Sequence, residues 1–443
     1  MAATLAFSVM RSAPELVAPS RATPVEVRPL SDIDDQDGFR FYRSGLHFFR
    51  PGNAGADPAA VVKKGLADAL VHYYPVAGRI REMQPERKLV VECTGEGVVF
   101  VEADADVSLS DFGDVLCLPI PCYQEFLCNP DGNSAVVVGR PLLFVQVTRL
   151  RCGGFVFGLQ ICHNIADAAG TVQLLRAIGE MSRGMPAPTV APVWARELLM
   201  ARSPPVVTHQ HHAHLAYDET AADGNHDVLG SGEPLVQRAF FFGPKEMSAM
   251  RELAAVPAGA RVSRFELLTA FLWQRRAAAL EFGADDEVRV MFTVNARGRI
   301  SPPLPAGFYG NAVAYAVAAW TAGRLRESPL GEVVKMVAAA KAKAASDGYV
   351  QSVADLLVQR GRPRFVRAVR TYLVSDVTRA GFESVDFGWG EAVYGGPAAS
   401  TVLATFHLRV KNSSGEEGIA VPLCLPAAAM ERLELHMHAD VET

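Results

Sequence analysis

Between residues 203 and 234 the apolar patterning that runs through the rest of this chain breaks down. The segment SPPVVTHQHHAHLAYDETAADGNHDVLGSGEP is rich in His, Asp, Gly and Pro, a composition that favours a solvated linker over a packed element. Helical and strand periods resume on both sides, so the break divides the 443 residues into two stretches of similar length, 1–202 and 235–443. A single hydrophobic core does not grow indefinitely, and roughly 200 residues is a natural size for each of two. The chain is therefore expected to form two α+β units of mixed sheets and helices, joined by a long crossover loop at 203–234.

In the first unit, PAAVVKKGLADALVHYYP (58–75) places Val61, Val62, Leu66, Leu70 and Tyr73 at helical spacing, and Pro75 ends the run. RKLVVECT and GVVFVEAD alternate apolar and polar residues like half-buried strands. LLFVQVTRL (142–150) and GFVFGLQICH (154–163) predict two strands joined by a turn at Cys152, Gly153 and Gly154. The following AGTVQLLRAIGEMSRG carries Val172, Leu175, Ile178 and Met181 on one side, which predicts a helix. The second unit opens with strand-like LVQRAFFF (235–242), helix-like SRFELLTAFLWQRRAAAL (263–280) and strand-like EVRVMFTVN (287–295). No internal repeat is visible.

Bulk properties exclude several functions. The formal net charge is -5 and the pI about 6.1, so no global basic field exists to hold nucleic acid or anionic lipid. Seven scattered cysteines with no Cys-x-x-Cys pair point to neither a disulfide framework nor a structural zinc site. His209, His211, His212 and His214 are close in sequence. They lie in the linker, where no partner would orient the rings, and no metal is expected there. The first residues, MAATLAFSVMRSAPELV, are interrupted by Arg11 and Glu15 and lack the form of a secretion signal. No unbroken apolar stretch reaches the roughly 20 residues that a membrane helix needs. The expectation is a reduced, cytoplasmic protein without membrane insertion.

Chemistry-bearing motifs narrow the field further. Gly-x-Ser-x-Gly, Gly-x-Gly-x-x-Gly after a strand, the Gly-Lys-Ser/Thr phosphate loop and His-Glu-x-x-His are all missing from the sequence. What stands out is His163-Asn164-Ile165-Ala166-Asp167, placed where a strand gives way to a helix. Such junctions open into clefts, and an imidazole there can take a proton from an alcohol or thiol. Asp167 would begin the helix and accept an ion pair that fixes the loop. A purely structural histidine would leave the same trace. The second motif is Asp386-Phe387-Gly388-Trp389-Gly390, two glycines around an aromatic, which marks a tight turn. The Trp389 indole N–H could reach a developing oxyanion or could simply fill a core.

These two motifs, in this order and some 220 residues apart, resemble the plant BAHD acyltransferase family, which carries His-x-x-x-Asp mid-chain and Asp-Phe-Gly-Trp-Gly towards the C-terminus. The likeness covers essentially the whole chain, including YYPVAGR (73–79), VNARGR (294–299), FYGN (308–311) and VSDVTRAGFESVDFGWG (374–390). Three further stretches look like the branch of benzyl-alcohol benzoyltransferases and grass hydroxycinnamoyl-CoA:monolignol transferases. They are PELVAPSRATPVEVRPLSDIDDQ (14–36), APVWARELL (191–199) and GEEGIAVPLCLPAAAMER (415–432). One departure is Ala168, where many relatives have Gly directly after the Asp; here Gly170 comes two residues later.

The resemblance implies two chloramphenicol-acetyltransferase-like domains with a channel between them, acyl-CoA as co-substrate, no permanently bound cofactor or metal, and a monomer. It implies direct transfer, with His163 as general base and Trp389 steadying the oxyanion. Asp167 would pair with Arg297, and Asp386 with Gly388 and Gly390 would fix a loop. CoA would meet the helix start at Ser263 and Arg264 and the strand end at Ser375, Asp376 and Thr378. The branch likeness points to an aromatic acyl donor (benzoyl, p-coumaroyl or feruloyl) and a small primary alcohol acceptor such as a monolignol or benzyl alcohol. The stretch from Val402 to His407 offers no cation for an acidic acceptor. Alternatives are an aliphatic donor, an amine acceptor, or a non-catalytic binding relative. A peptide-synthetase condensation domain shares the fold, but Cys162 stands where the first histidine of its His-His-x-x-x-Asp motif would be.

Overall fold

The computed structural model describes residues 5–52, 55–113, 115–128, 136–209, 216–217, 234–257, 259–363, 369–401 and 404–441. His211, His212, His214, most of the 203–234 segment, Val402 and Leu403 lie outside the described residues.

FVFGLQIC forms strand Phe155–Cys162, buried at every position, which is why it reads as a nearly continuous apolar run. It pairs antiparallel with Leu143–Leu150 on one side and Tyr42–Phe49 on the other. Val98–Ala105 extends the sheet parallel to Leu143–Leu150, and Val9–Arg11 and Glu15–Val17 pair with its far edge. The second sheet has six strands in the order Leu235–Phe242, Glu417–Pro426, Ala404–Lys411, Thr371–Asp376, Glu287–Asn295, Val313–Thr321. A small third sheet joins Val27–Pro29, Lys88–Glu92 and Arg79–Met83.

Helices cover the sheets where the 3.6 period placed them. Ala168–Ser182 packs along Pro58–His72, whose last turn gives way to a short 3-10 turn, Tyr74–Ala77, at Pro75. Arg264–Ala279 buries Leu267, Leu268, Phe271, Leu272 and Trp273 and packs against helices Leu330–Ala344 and Ala427–Val441.

The sequence halves do not sort cleanly onto the sheets. Tyr394–Pro397, from the C-terminal half, pairs with Tyr42–Phe49 and closes what would otherwise be an open edge of the first sheet. Phe382, Val385 and Phe387 are buried in the first core, while Ile33, Phe39 and Leu199 cross into the second. Among the described residues no helix is long and apolar enough to cross a membrane, and no group of three or more potential metal ligands occurs.

Candidate active site

His163 follows strand Phe155–Cys162 directly. Its backbone N–H donates to the Phe41 carbonyl at 2.9 Å, and its own carbonyl accepts from Asn311 Nδ2 at 2.8 Å. The imidazole stacks on Phe39, with centroids 4.2 Å apart and planes 8° from parallel, while Phe41 meets it at 5.2 Å edge to face. Nδ1 is enclosed without a hydrogen-bond partner, which leaves Nε2 as the nitrogen that can face open space. The ring is half-buried in the wall of a cavity of about 820 Å³.

Removal from water, and then the cationic Arg43 guanidinium, hold His163 well below the usual imidazole pKa. The Asn311 side chain and the His163 carbonyl oppose this weakly, although neither reaches hydrogen-bonding geometry with Nδ1. A neutral ring across the physiological range is the form a base requires. The kcat/KM profile reports the free enzyme's groups, so it is expected to stay level from pH 7.5 down through about 6.5, the ordinary histidine value. An acid limb centred at or above that value would show that the ring is not depressed.

Asp167 lines the same cavity, and its carboxylate is engaged by the protein itself. Its carboxylate caps helix Ala168–Ser182 by accepting from Gly170 N at 2.9 Å, and it accepts from Ala312 N at 3.0 Å. Arg297 grips both its oxygens, at 2.6 and 2.9 Å, and also donates to the Gly310 carbonyl at 2.7 Å. This bidentate pair ties the helix start to the second half. Gly170 is the residue the close packing demands, since a Cβ there would lie 1.9 Å from the Tyr309 carbonyl oxygen.

Ser263, Arg264, Ser375, Asp376 and Thr378 line the same cavity as His163. The start of helix Arg264–Ala279 is already occupied, however. Ser263 Oγ accepts from Glu266 N at 3.3 Å, and Glu266 accepts from Ser263 N at 2.8 Å and from Lys341 Nζ at 2.9 Å. An incoming phosphate would therefore meet a carboxylate there rather than free N–H groups. Arg299 and Arg379 also line the cavity, and among the described residues neither they nor Arg264 form an ion pair. Sequence reasoning missed these two, along with Arg43, Tyr315, Lys341 and His407, because only the fold brings their elements to one wall.

Trp389 is elsewhere, which corrects the oxyanion role expected of it. Asp386 Oδ1 accepts from Gly388 N at 2.7 Å and Gly390 N at 2.9 Å, and both glycines have positive φ, 108° and 83°. That turn places Trp389 edge-on to Phe155 at 5.2 Å, beside a separate surface cavity with Pro51, Gly52 and Gly153. Phe155 and Cys162 are opposite ends of one strand, so Trp389 and His163 are separated by roughly 23 Å of extended backbone. Losing an oxyanion donor costs about a hundredfold or more in kcat; Trp389→Phe, which deletes the indole N–H, is expected to cost less than about tenfold. A steady-state comparison of the two proteins checks this.

The Transferase family model matches residues 7–440. The chain is 51% identical to the benzyl alcohol O-benzoyltransferase of Petunia hybrida, over 97% of this chain and 92% of that one. It is 52% identical to the enzyme of the same name from Nicotiana tabacum, over 96% and 92%. An alcohol acyl transferase 1 of Malus domestica is 44% identical over 97% and 95%. Among solved structures, vinorine synthase superposes with a TM-score of 0.75 at 22% identity, covering 98% of each chain. TRI101 of F. sporotrichioides, solved with coenzyme A and T-2, has a TM-score of 0.71 at 16% identity, covering 93% of this chain and 97% of that one. These two likenesses concern the fold. With a half-buried, neutral histidine on a large cavity and a family match along the whole chain, the protein belongs to the Transferase family, the BAHD acyltransferases, and is an acyl-CoA-dependent O-acyltransferase.

Proposed function

We propose that the protein moves an aromatic acyl group, benzoyl, p-coumaroyl or feruloyl, from CoA to a small primary alcohol such as benzyl alcohol or a monolignol. The observation that carries this reading is the neutral His163 ring on the wall of a cavity of about 820 Å³ that has both charged and aromatic surfaces. In this reading His163 Nε2 takes the acceptor hydroxyl proton, the alkoxide attacks the thioester carbonyl, and the proton returns to the departing CoA thiolate. No covalent enzyme intermediate is required. Most of the barrier reduction then comes from holding both reactants in line, on the order of several kcal/mol, together with the proton transfer.

The cations Arg264, Arg299 and Arg379 on the cavity wall suit the phosphates of CoA, with Lys341 lining the same cavity. Ser375, Asp376 and Thr378 remain part of the proposed CoA path. Phe265, Phe292, Val294, Val313, Val377 and Ile419 supply apolar wall for an aryl or alkyl group. The aromatic donor rests on the two benzoyltransferase relatives. An aliphatic donor is the second reading, since the Malus domestica relative is named an alcohol acyl transferase with no acyl group specified. Free-thiol release with benzoyl-, p-coumaroyl-, feruloyl- and acetyl-CoA, each against benzyl and coniferyl alcohol, tests the proposal. The aromatic donors are expected to have the highest kcat/KM. Turnover with acetyl-CoA alone would replace the aromatic reading, and no turnover with any pair would favour a binding relative without catalysis.

A further inference from the structure

The strand next to the one that ends at His163 brings a cation, Arg43, into the wall of the same cavity. The register that pairs Tyr42 with Cys162 puts Phe41 opposite His163, and the His163 N–H closes that pair on the Phe41 carbonyl at 2.9 Å. Side chains alternate between the two faces of a sheet, so Arg43, two residues on from Phe41, stands on the His163 side. Diagonal neighbours of this kind lie roughly 7–8 Å apart, within reach of a long side chain.

The three nitrogens of the half-buried Arg43 side chain have different surroundings. Nη2 donates to the Ala166 carbonyl at 2.7 Å, inside the turn from His163 to Asp167, and to Thr171 Oγ1 at 2.9 Å, in the first turn of the next helix. Those two bonds fix the plane of the guanidinium. Nε is enclosed without a partner. Nη1 also lacks a hydrogen-bond partner, but it is not enclosed, so it is the end left open to the cavity. Among the described residues no carboxylate pairs with Arg43, since Asp167, whose field reaches it, is gripped by Arg297 on both oxygens. A guanidinium stays protonated at physiological pH. Holding such a charge half out of water without a counter-ion is unfavourable, so the open arm calls for negative charge that arrives with the reactants.

An alcohol and a thioester are neutral at their reacting ends, and negative charge appears there only as they react. As His163 Nε2 takes the hydroxyl proton, the acceptor oxygen bonds to the thioester carbon and the carbonyl π pair moves onto the carbonyl oxygen. When that double bond re-forms, the C–S bond breaks and the departing thiolate takes the proton back from Nε2. The oxyanion thus forms on the carbon that the hydroxyl oxygen beside His163 attacks. Trp389 stands at a separate cavity, and Arg297 is taken up by Asp167 and the Gly310 carbonyl. We infer that Arg43 is a catalytic residue whose open Nη1–H stabilises the carbonyl oxyanion formed beside His163. This rests on the acyl-transfer reading above and adds the electrophilic partner of the base.

The test measures kcat and both KM values with the donor–alcohol pair, among those named above, that the wild type turns over best. Arg43→Gln is expected to lose about a hundredfold or more in kcat, as for other oxyanion donors, with both KM values within about threefold of the wild type. Arg43→Lys keeps the charge and should recover at least about tenfold of that loss. Thr171→Val removes one of the Nη2 bonds and leaves the charge in place, so its kcat should stay within about fivefold of the wild type. Arg43→Met takes the place of Arg43→Gln should the latter fail to fold, with thermal melting as the control. A loss below about tenfold on removing the charge, equal kcat for Arg43→Lys and Arg43→Gln, or an equal loss in Thr171→Val overturns the inference. A raised KM for the alcohol at unchanged kcat also overturns it, and would make Arg43 the seat of an anionic group on the acceptor. If the wild type releases thiol with no pair, the acyl-transfer reading fails and this inference falls with it; turnover by the wild type that Arg43→Gln leaves intact removes the inference alone.

Discussion

His163→Ala is expected to lower kcat/KM by about a thousandfold or more, near the upper part of the range for a general base, with little change in thermal stability. In the proposed reading the two readouts separate because the ring serves as the base and ties no element to another. Among the described residues its Nδ1 has no hydrogen-bond partner, so removing the side chain also removes an enclosed, unpaired nitrogen. The backbone contacts that position residue 163, to Phe41 and from Asn311, do not involve the side chain and survive the substitution. What is lost is the stacking on Phe39, which a melting curve would register only slightly. His163→Ala activity within about tenfold of the wild type would mean that another group takes the proton.

The second large effect concerns the ion pair between Arg196 and Asp34. Both side chains are fully buried, with Arg196 Nε 3.3 Å from Asp34 Oδ2. Asp34 also accepts from Ser31 Oγ at 2.6 Å, Asn311 N at 2.9 Å and Asn311 Nδ2 at 2.8 Å. Arg196 Nη2 donates to the Ile165 carbonyl at 2.8 Å, inside the His163–Asp167 turn, and its guanidinium lies over Trp194 and Tyr309. Removing one partner strands a buried charge and costs about 3–5 kcal/mol, so Arg196→Met is expected to destabilise the fold by that order. Replacing Asp34 by asparagine in the same chain should recover part of the loss, since the stranded charge is then gone. Denaturant midpoints of the single and double variants test this. A loss below about 1 kcal/mol in the single variant would mean that the pair is dispensable.

The same residues show how far the sequence could be read. The strands around FVFGLQIC and the helix after His163 were legible because their periods, 2 and 3.6, are local properties of the chain. The pairing of Tyr394–Pro397 with Tyr42–Phe49 was not, because four residues with two glycines carry no strand signal of their own. The departure at Ala168 looked like a change in the helix start. The structure shows instead that Gly170, pressed against Tyr309, is where a side chain cannot be tolerated.

For the site, one motif's place on the cavity was readable and the other's was not. His163 at a strand–helix junction offered a base, and Asp167 and Arg297 were named as a pair by resemblance; they do meet. Trp389 failed as a cavity residue because the direction of a tight turn depends on what it packs against, here Phe155 and Phe387 with the first sheet. Likewise, Val402–His407 read as an uncharged apolar stretch, and only the register with Asp376 shows that His407 lies in the wall of the cavity that His163 lines.

The sequence by itself determined the alternation of elements and put forward His163 as a candidate for proton transfer, since each is encoded by neighbours within a few residues. The tertiary structure alone decided which side chains share a cavity, Arg299, Lys341, Arg379 and His407 with His163, and which do not, as with Trp389. The reason is that proximity between residues more than a hundred positions apart is set by sheet order and packing, which no local pattern carries.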